Sequence, residues 1–453
     1  MTSIDELRSR IPGPILTPND AGFVEEVSGF NLAVNHSPDI VVGVTSTHDV
    51  AEAVRFAAEH GLPVRIQSTG HGTFQPIRGG MLLVTSRLDE VTIDAETRIA
   101  TVGAGASWGS VQAAAATLGL SSIPGSSMTV GAVGYTLGGG LGPLARSHGV
   151  TSDHVRGFEV VTASGDLVLA NQAEHSDLFW ALRGGKSGLG VVTRMFIELL
   201  PLRAIYGGSL FFEEDQIESV LRGWIEWTKT APAAVTTSIA ILNLPDFDAV
   251  PEPIRGGRVL SLRFAYAGTP AEGARLAAPL RSLAPAVIDS LGDLPTAAIG
   301  LVHNDPDQPG PSWSRGMLLG PIDQKFATVL LSLVGAGTLA PLAATELRHL
   351  GGATRTDVPG GSAVGGRASD FTLTMAGVPN PALFETVLPE FSDAFVASIA
   401  PWVSAETTIN FAGEPATAKA FESAWPAAIR NQLAAVRKLY DPAGLFTYGP
   451  RGD

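Results

Sequence analysis

Cysteine is absent from the 453 residues. Its absence excludes disulfides, thiolate metal ligands, iron–sulfur clusters and a cysteine nucleophile together. Positive charge is scarce: 30 Lys and Arg face 44 Asp and Glu, a net charge of −14. A phosphate backbone or an anionic lipid surface would be repelled, so neither nucleic acid nor membrane is an expected partner. No apolar run reaches the ~20 residues that cross a bilayer. The longest, Thr328 to Ala344, is broken by Gly335, Gly337 and Pro341 and reads as a buried helix and the turn after it. The first residues carry charge where a signal peptide has its apolar core, which leads to the expectation of a cytoplasmic protein. Tyrosine is rare, at five residues, which narrows the choice of a phenolate base. Internal repeats and low-complexity linkers are also missing.

What is present is apolar mass (45%) and glycine (52 residues), the latter concentrated in a few places. The length allows two or three domains of ~100–200 residues. Asp39 to Val44 and Pro63 to Ile66 read as strands, joined by a helix from Asp49 to His60 with Val50, Ala53, Val54 and Ala57 on one face and Gly61 as its stop. Strands are expected at Gly80–Val84, Ile99–Val102 and Gly188–Glu198. A hairpin is expected at Val155–Thr162 and Asp166–Ala170, and helices at Trp108–Leu118 and Asp177–Leu182. From about 206 to 414 the glycine loops stop. Five alternating strands are read there, Gly208–Phe212, Thr236–Leu244, Arg258–Ala267, Phe371–Gly377 and Thr407–Ala412, with helices such as Asp215–Thr228 and Ala271–Ser282 between them. This is an antiparallel sheet with helices on one face. Residues 416–439 read as a terminal helix.

Two loops carry chemistry. Gln67-Ser-Thr-Gly-His-Gly-Thr73 follows a strand and has one bulky residue, His71. Successive amides in such a loop form an anion nest, and Ser68, Thr69 and Thr73 add hydroxyls, so a pyrophosphate fits without lysine. A surface turn with an exposed histidine is the plain alternative. The second loop, Gly131 to Gly142, holds six glycines, a density needed only where backbone must approach a ligand closely or positive φ recurs. It follows no parallel strand and is too glycine-dense to start a stable helix, so a nicotinamide-binding fingerprint is rejected. A structural hairpin is the alternative.

Together these segments resemble the FAD-binding domain of the vanillyl-alcohol oxidase/p-cresol methylhydroxylase superfamily, in its berberine-bridge-enzyme-like branch. The resemblance covers roughly residues 35–200 and the last forty. It rests on Ser68-Thr-Gly-His-Gly72, Thr129-Val-Gly131 with Gly134-Tyr135 and Gly138-Gly-Gly-Leu-Gly142, Leu144-Ala-Arg146 with Gly149 and Asp153, Asp177 to Gly185 with Gly188 to Val192, and Tyr440-Asp-Pro442 with Phe446. It implies an α+β fold: a two-subdomain FAD-binding domain of p-cresol methylhydroxylase type, residues 1–205, a substrate domain over 206–414, and a C-terminal return over 415–453. It also implies FAD attached through the 8α-methyl carbon to His71. Gln67 to Thr73 then bind the pyrophosphate. Gly125, Ser127, Thr129, Val130, Gly131, Gly134, Tyr135 and Gly138 to Leu141 line the isoalloxazine. Gly188, Gly190, Val191 and Val192 support the adenine side, and Tyr448 completes the cofactor set. Ser127 stands where many members of this branch place a second, cysteinyl tether, so attachment through His71 only is implied. Val130 falls where oxidases of the family tend to carry a small residue and dehydrogenases a leucine, which favours oxygen as acceptor.

On the substrate side one strand parity is polar (Ser238, Ser261, Arg263, Thr372, Thr374, Thr408, Asn410) and the other apolar (Ile239, Ile241, Leu262, Phe264, Phe371, Leu373, Ile409). The polar face is expected toward the flavin. Arg263 and Asn410 are the residues expected to orient a substrate, with Tyr135 and Tyr266 as the catalytic tyrosines; Tyr206 is the other tyrosine of that segment. His303, Asp370, Glu406 and Glu414 are further base candidates. The expected function is oxidation of an alcohol, sugar or secondary metabolite, with O2 as acceptor giving H2O2. A dehydrogenase with another acceptor, or a flavin-binding protein without turnover, are the alternatives. No metal is expected.

Overall fold

Ile40–Gly43, Val64–Gln67 and Met81–Val84 are short β-branched or aliphatic runs, and all three are strands in the computed structural model of the protein. The structure describes residues 3–73, 75–413 and 421–447. The three strands run parallel with Met81–Val84 between the other two, and Ile15–Leu16 joins one edge antiparallel. The crossover helix Thr47–Glu59 starts on a reciprocal cap: Ser46 Oγ accepts from the Asp49 amide while the Asp49 carboxylate accepts from the Ser46 amide. Its Val50, Ala53, Val54 and Ala57 are fully buried, the face the 3.6-residue period requires. The strand Val64–Gln67 delivers the chain into the His71 loop.

A second sheet of five antiparallel strands follows, in the order Val91–Asp94, Ile99–Gly103, Val191–Glu198, Val155–Val161, Leu167–Asn171. The expected hairpin is present, with Gly165 at φ 80° in its turn. Val91–Asp94 was not foreseen; it is an edge strand of half-exposed residues without an apolar signature. The last segment returns to the first sheet. Asp441 accepts the amides of Leu445 and Phe446, and Val64 donates to Leu445 O while Thr447 donates to Val64 O. The preceding helix is Ala427–Tyr440. Residues 414–420, the start of the expected terminal helix, lie outside the described residues.

The third sheet is antiparallel and eight-stranded. Its path is Ile288–Asp289, Ala204–Phe212, Arg258–Tyr266, Val235–Asn243, Leu342–His349, Phe371–Gly377, Ser314–Leu319, with Gly292–Pro295 also paired to Ala204–Phe212. Four helices, Ile217–Thr228, Pro270–Arg281, Gln324–Val334 and Val387–Ile399, cover one face. Their Trp224, Leu280, Phe326 and Phe395 meet Leu210, Ile239, Leu262, Phe264 and Leu373 of the strands in one large core. The expected parity holds in the strands. Ser209, Arg263, Ser238, Arg348 and Thr372 are successive cross-strand partners on the other face.

Three expectations fail here. Thr407–Ala412 is not a strand but a turn-rich segment, joined to the sheet through bridges at Val403 and Gly413. Its alternation was real, but Gly138 takes the place of a neighbouring strand beside it. Leu342–His349, by contrast, is a central strand whose start was hidden in the apolar stretch read as helix and turn. Finally, the glycine run is no hairpin: Ala132–Thr136 forms a five-residue helix on Gly131. Glycine there lowers helix propensity but does not prevent a single turn packed against the core.

Candidate functional site

The two chemistry-bearing loops meet at His71. Thr69 Oγ1 lies 2.8 Å from His71 Nδ1 and 3.3 Å from the Gly131 amide that donates to it. Thr129 Oγ1 lies 3.0 Å from His71 Nε2, with Ser127 Oγ 3.1 Å further on. Phe30 stacks on the imidazole, centroid to centroid 3.7 Å and 17° between planes. Burial lowers the imidazole from its ordinary value to about 4, so the ring is neutral at pH 7. Each of its nitrogens faces a hydroxyl that can donate or accept, and the ring is clamped on one face. This is not a solvent-exposed turn.

The loop geometry follows from glycine at defined points. Gly70 has φ 74°, and a Cβ on it would stand 2.6 Å from Gly29 Cα. Gly131 packs on Ser68, whose buried Oγ has no hydrogen-bond partner among the described residues. The amides of Thr69, Gly70, His71 and Gly72 donate to no other backbone group among the described residues. Gln67 is turned away: its Nε2 donates to the carbonyls of Val27 and Ser28, so it ties the strand to the lead-in segment that carries Phe30.

The glycines of the run divide into two kinds. Gly138, Gly140 and Gly142 are needed by the protein itself, because a Cβ would meet Asn410 Oδ1 at 2.1 Å, Tyr135 Cε1 at 2.5 Å and Pro124 O at 1.8 Å. Around Gly134, and around Gly72 of the other loop, no other part of the described residues lies within 4 Å of a Cβ. Gly139 and Gly140 have φ of 99° and 90°, where a side chain is strained. Val130 is partly buried against the core of the second sheet and its carbonyl accepts from the Trp108 amide.

The remaining expected residues are dispersed. Asn410 does join the run: its Nδ2 donates to Tyr135 O at 2.8 Å. Tyr135 is packed edge-on to Trp108, its hydroxyl buried and its pKa raised by that burial, so it is a poor acid or base. Tyr266 is a correction. Strand parity puts it with Leu262 and Phe264 on the helix-covered face, remote from the polar face. Tyr206 shares that core and is hydrogen-bonded by Arg281 at 2.7 Å. Asp370 is paired with Arg355, and Glu406 accepts the Gly366 amide at 3.0 Å. Gly188 and Gly190, with φ of 81° and 123°, lead into the strand that carries Val191 and Val192. Tyr448 and Glu414 lie outside the described residues.

Arg263 occupies a place no single-residue reading anticipated. It donates to Glu346 Oε1 at 2.8 Å, while Arg348 donates to Glu346 Oε2 at 2.8 Å. His303 Nε2 lies 3.6 Å from the same carboxylate. Burial drives the Glu346 carboxyl upward, but Arg348 and Arg263 outweigh it and hold it at about 2. His303 is kept neutral by burial and by Arg348. Arg348 also reaches Ser126 Oγ and Leu141 O at 3.2 and 3.4 Å, which pins the polar face to both ends of the glycine run. The cavity beside this cluster is about 10 Å³, room for one water. The cluster is therefore a buried brace, and Arg263 is part of it. Glu346 and Arg348 were missed, although Glu346-Leu347-Arg348 alternates as a half-polar strand should.

Lys186 was also missed. Its Nζ donates to Gly134 O at 2.6 Å and to Asn410 Oδ1 at 3.2 Å, tying the Gly184–Gly190 loop to the run.

Residues 38–171, which contain both loops, match the family described as FAD binding domain. This part of the chain is an FAD-binding domain. The whole chain superposes on 6-hydroxy-D-nicotine oxidase from Arthrobacter nicotinovorans with a TM-score of 0.83 at 22% identity, covering 96% of each chain. It also superposes on glucooligosaccharide oxidase from Acremonium strictum, a protein with 6-S-cysteinyl, 8α-N1-histidyl FAD, with a TM-score of 0.81 at 20% identity over 98% of each chain. The chain thus shares its overall fold with these two oxidases. In sequence, the (R)-6-hydroxynicotine oxidase of Paenarthrobacter nicotinovorans is 32% identical over 201 residues, 44% of either chain. The chain spans about half the length of the curated relatives it matches.

The FAD-binding domain fits its cofactor on the geometry above. An orphaned buried Ser68 hydroxyl, unpaired loop amides and hydroxyls at Thr69, Thr73, Ser127 and Thr129 are the donor set for a diphosphate and its ribityl chain. A tether of the cysteinyl kind is impossible, because the sequence holds no cysteine.

Proposed function

We propose that the protein is an FAD-dependent oxidase whose flavin is attached through His71 alone and whose substrate is a small alcohol, sugar or secondary metabolite. When bound, FAD supplies hydride acceptance from an activated C–H bond and electron delivery to O2, giving H2O2. The observation that carries the reading is the state of His71: neutral, clamped by Phe30 and contacted by Thr69 and Thr129. A neutral imidazole keeps a lone pair for attack on an electrophilic methylene carbon, and two hydroxyl partners can take up or return the proton that must move. The Gln67–Thr73 loop would hold the diphosphate on amides and hydroxyls, and Gly134 and Gly72 leave the backbone bare where a planar ring would lie close.

On the substrate side the polar sheet face carries the hydroxyls of Ser261, Thr372 and Thr374, which have no partner among the described residues, beside arginines already engaged by Glu346. Orientation would therefore come from donors, and the site would favour substrates rich in acceptor oxygens. Two measurements test this. Acid precipitation of the wild type should leave flavin colour in the pellet, and the same treatment of His71→Ala should release it. Colour released from the wild type would remove the tether. Anaerobic reduction followed by mixing with O2 should give reoxidation within seconds and H2O2 in equal amount; reoxidation over many minutes would remove the oxidase assignment.

A further inference from the structure

Lys186 stands out among the charged groups of the FAD-binding domain. Its backbone is left-handed, with φ 67°, at a position flanked by Gly184, Gly185, Gly188 and Gly190. A side chain there is unfavourable and persists when surrounding structure or function requires it. The partly buried Nζ has two neutral partners, Gly134 O and Asn410 Oδ1. Among the described residues no carboxylate lies within 4.0 Å of it. Asn410 cannot swing away, since its Nδ2 is held by Tyr135 O and its Oδ1 sits against Gly138. The ammonium is therefore fixed beside Gly134, one of the two glycines that face open space. Burial lowers its pKa to about 8, the mark of a cation without a counter-ion.

We propose that Lys186 is the fixed counter-charge for negative charge on the FAD, a positioning residue that acts on either its reduced ring or its diphosphate. The inference rests on the flavin assignment above. Two parts of FAD carry negative charge near a protein cation: the diphosphate permanently, and the ring once it has accepted a hydride, when two electrons and one proton have been added. An unpaired ammonium held by neutral oxygens stabilises either one far more than it would in water. Its strained backbone keeps the amine from relaxing into solvent.

The test uses purified holoprotein of the wild type, Lys186→Met, Lys186→Gly and Lys186→Arg. Lys186→Gly removes the charge and the left-handed strain together, so its thermal stability should equal or exceed that of the wild type. Visible flavin absorbance per protein reports loading, and titration with sulfite, which adds to oxidised flavin as an anion donor, reports ring electron affinity. Full loading with a sulfite dissociation constant about tenfold weaker in Lys186→Met and Lys186→Gly, but restored in Lys186→Arg, supports a ring partner. Loss of loading in both neutral variants with unchanged sulfite affinity, again restored by arginine, supports the diphosphate. Unchanged loading and unchanged sulfite affinity in Lys186→Gly would overturn the proposal and make the lysine a structural strut. A colourless wild type would instead refute the flavin assignment on which it rests.

Discussion

At the scale of single residues the chain places its charges under unusual constraint. Glu346 accepts from two arginines and faces His303, all on one patch of the sheet's polar face. Its carboxyl is held at about 2, below the ~4.3 of an unfolded chain. The unfolded state therefore takes up the proton first, so this stabilisation is complete above about pH 5 and is lost as pH falls through 4 toward 2. Glu346→Gln removes one partner and leaves two buried guanidinium groups facing each other, a loss of about 3–5 kcal/mol. Urea unfolding at pH 7 measures the loss. The same variant should show a shallower decline of stability between pH 5 and 3 than the wild type, since the titrating group is gone. His71, Arg263 and Asn410 stood out one by one because their side chains are chemically rare in their segments, but the place of Arg263 in the brace did not. Glu346 and Lys186 were not, since an acid or a lysine in isolation looks like any solvated surface group.

Elements show how glycine serves two ends within one run. A Cβ on Gly142 would stand 1.8 Å from the backbone oxygen of Pro124, which cannot rotate aside. Gly142→Ala should cost several kcal/mol or prevent folding, as overpacking against backbone does. Gly134 sits within the short helix Ala132–Thr136 with open space on the side where a Cβ would stand. Gly134→Ala should leave thermal stability unchanged or raised by up to about 1 kcal/mol, the helix preference for alanine, while lowering flavin loading. Comparing melting temperature with visible absorbance per protein for the two variants separates packing glycines from ligand glycines. Strands and helices with clean periodicity, such as Thr47–Glu59 and the apolar parity of Arg258–Tyr266, could be read directly. The segment Thr407–Ala412 could not, because alternation states which side chains share a face and not whether a neighbouring strand is available to pair.

At the scale of the molecule, Arg146 links the FAD-binding domain to the antiparallel sheet. Its guanidinium donates to the carbonyls of Val235, Ala231, Pro232 and Leu350 and contacts His349. No carboxylate shares these contacts among the described residues, and burial pulls its pKa down. Arg146→Met strands several buried carbonyls at once, for a loss of about 3 kcal/mol or more. Calorimetry should then resolve two transitions where the wild type gives one, because the sheet and the FAD-binding domain no longer unfold together.

The sequence alone determined which elements are periodic, which loops are bare enough for a ligand, that the polar parity of the antiparallel strands shares one face, and that a cysteinyl tether is closed to this chain. Those properties are local: they depend on side-chain type, spacing and the absence of cysteine. The tertiary structure decided which loops meet and which charges lose their water. Residues 71 and 129, or 134, 186 and 410, are brought together by strand order and crossovers that no local pattern encodes. Burial at those meeting points then turned His71 neutral and left Lys186 without a counter-ion among the described residues.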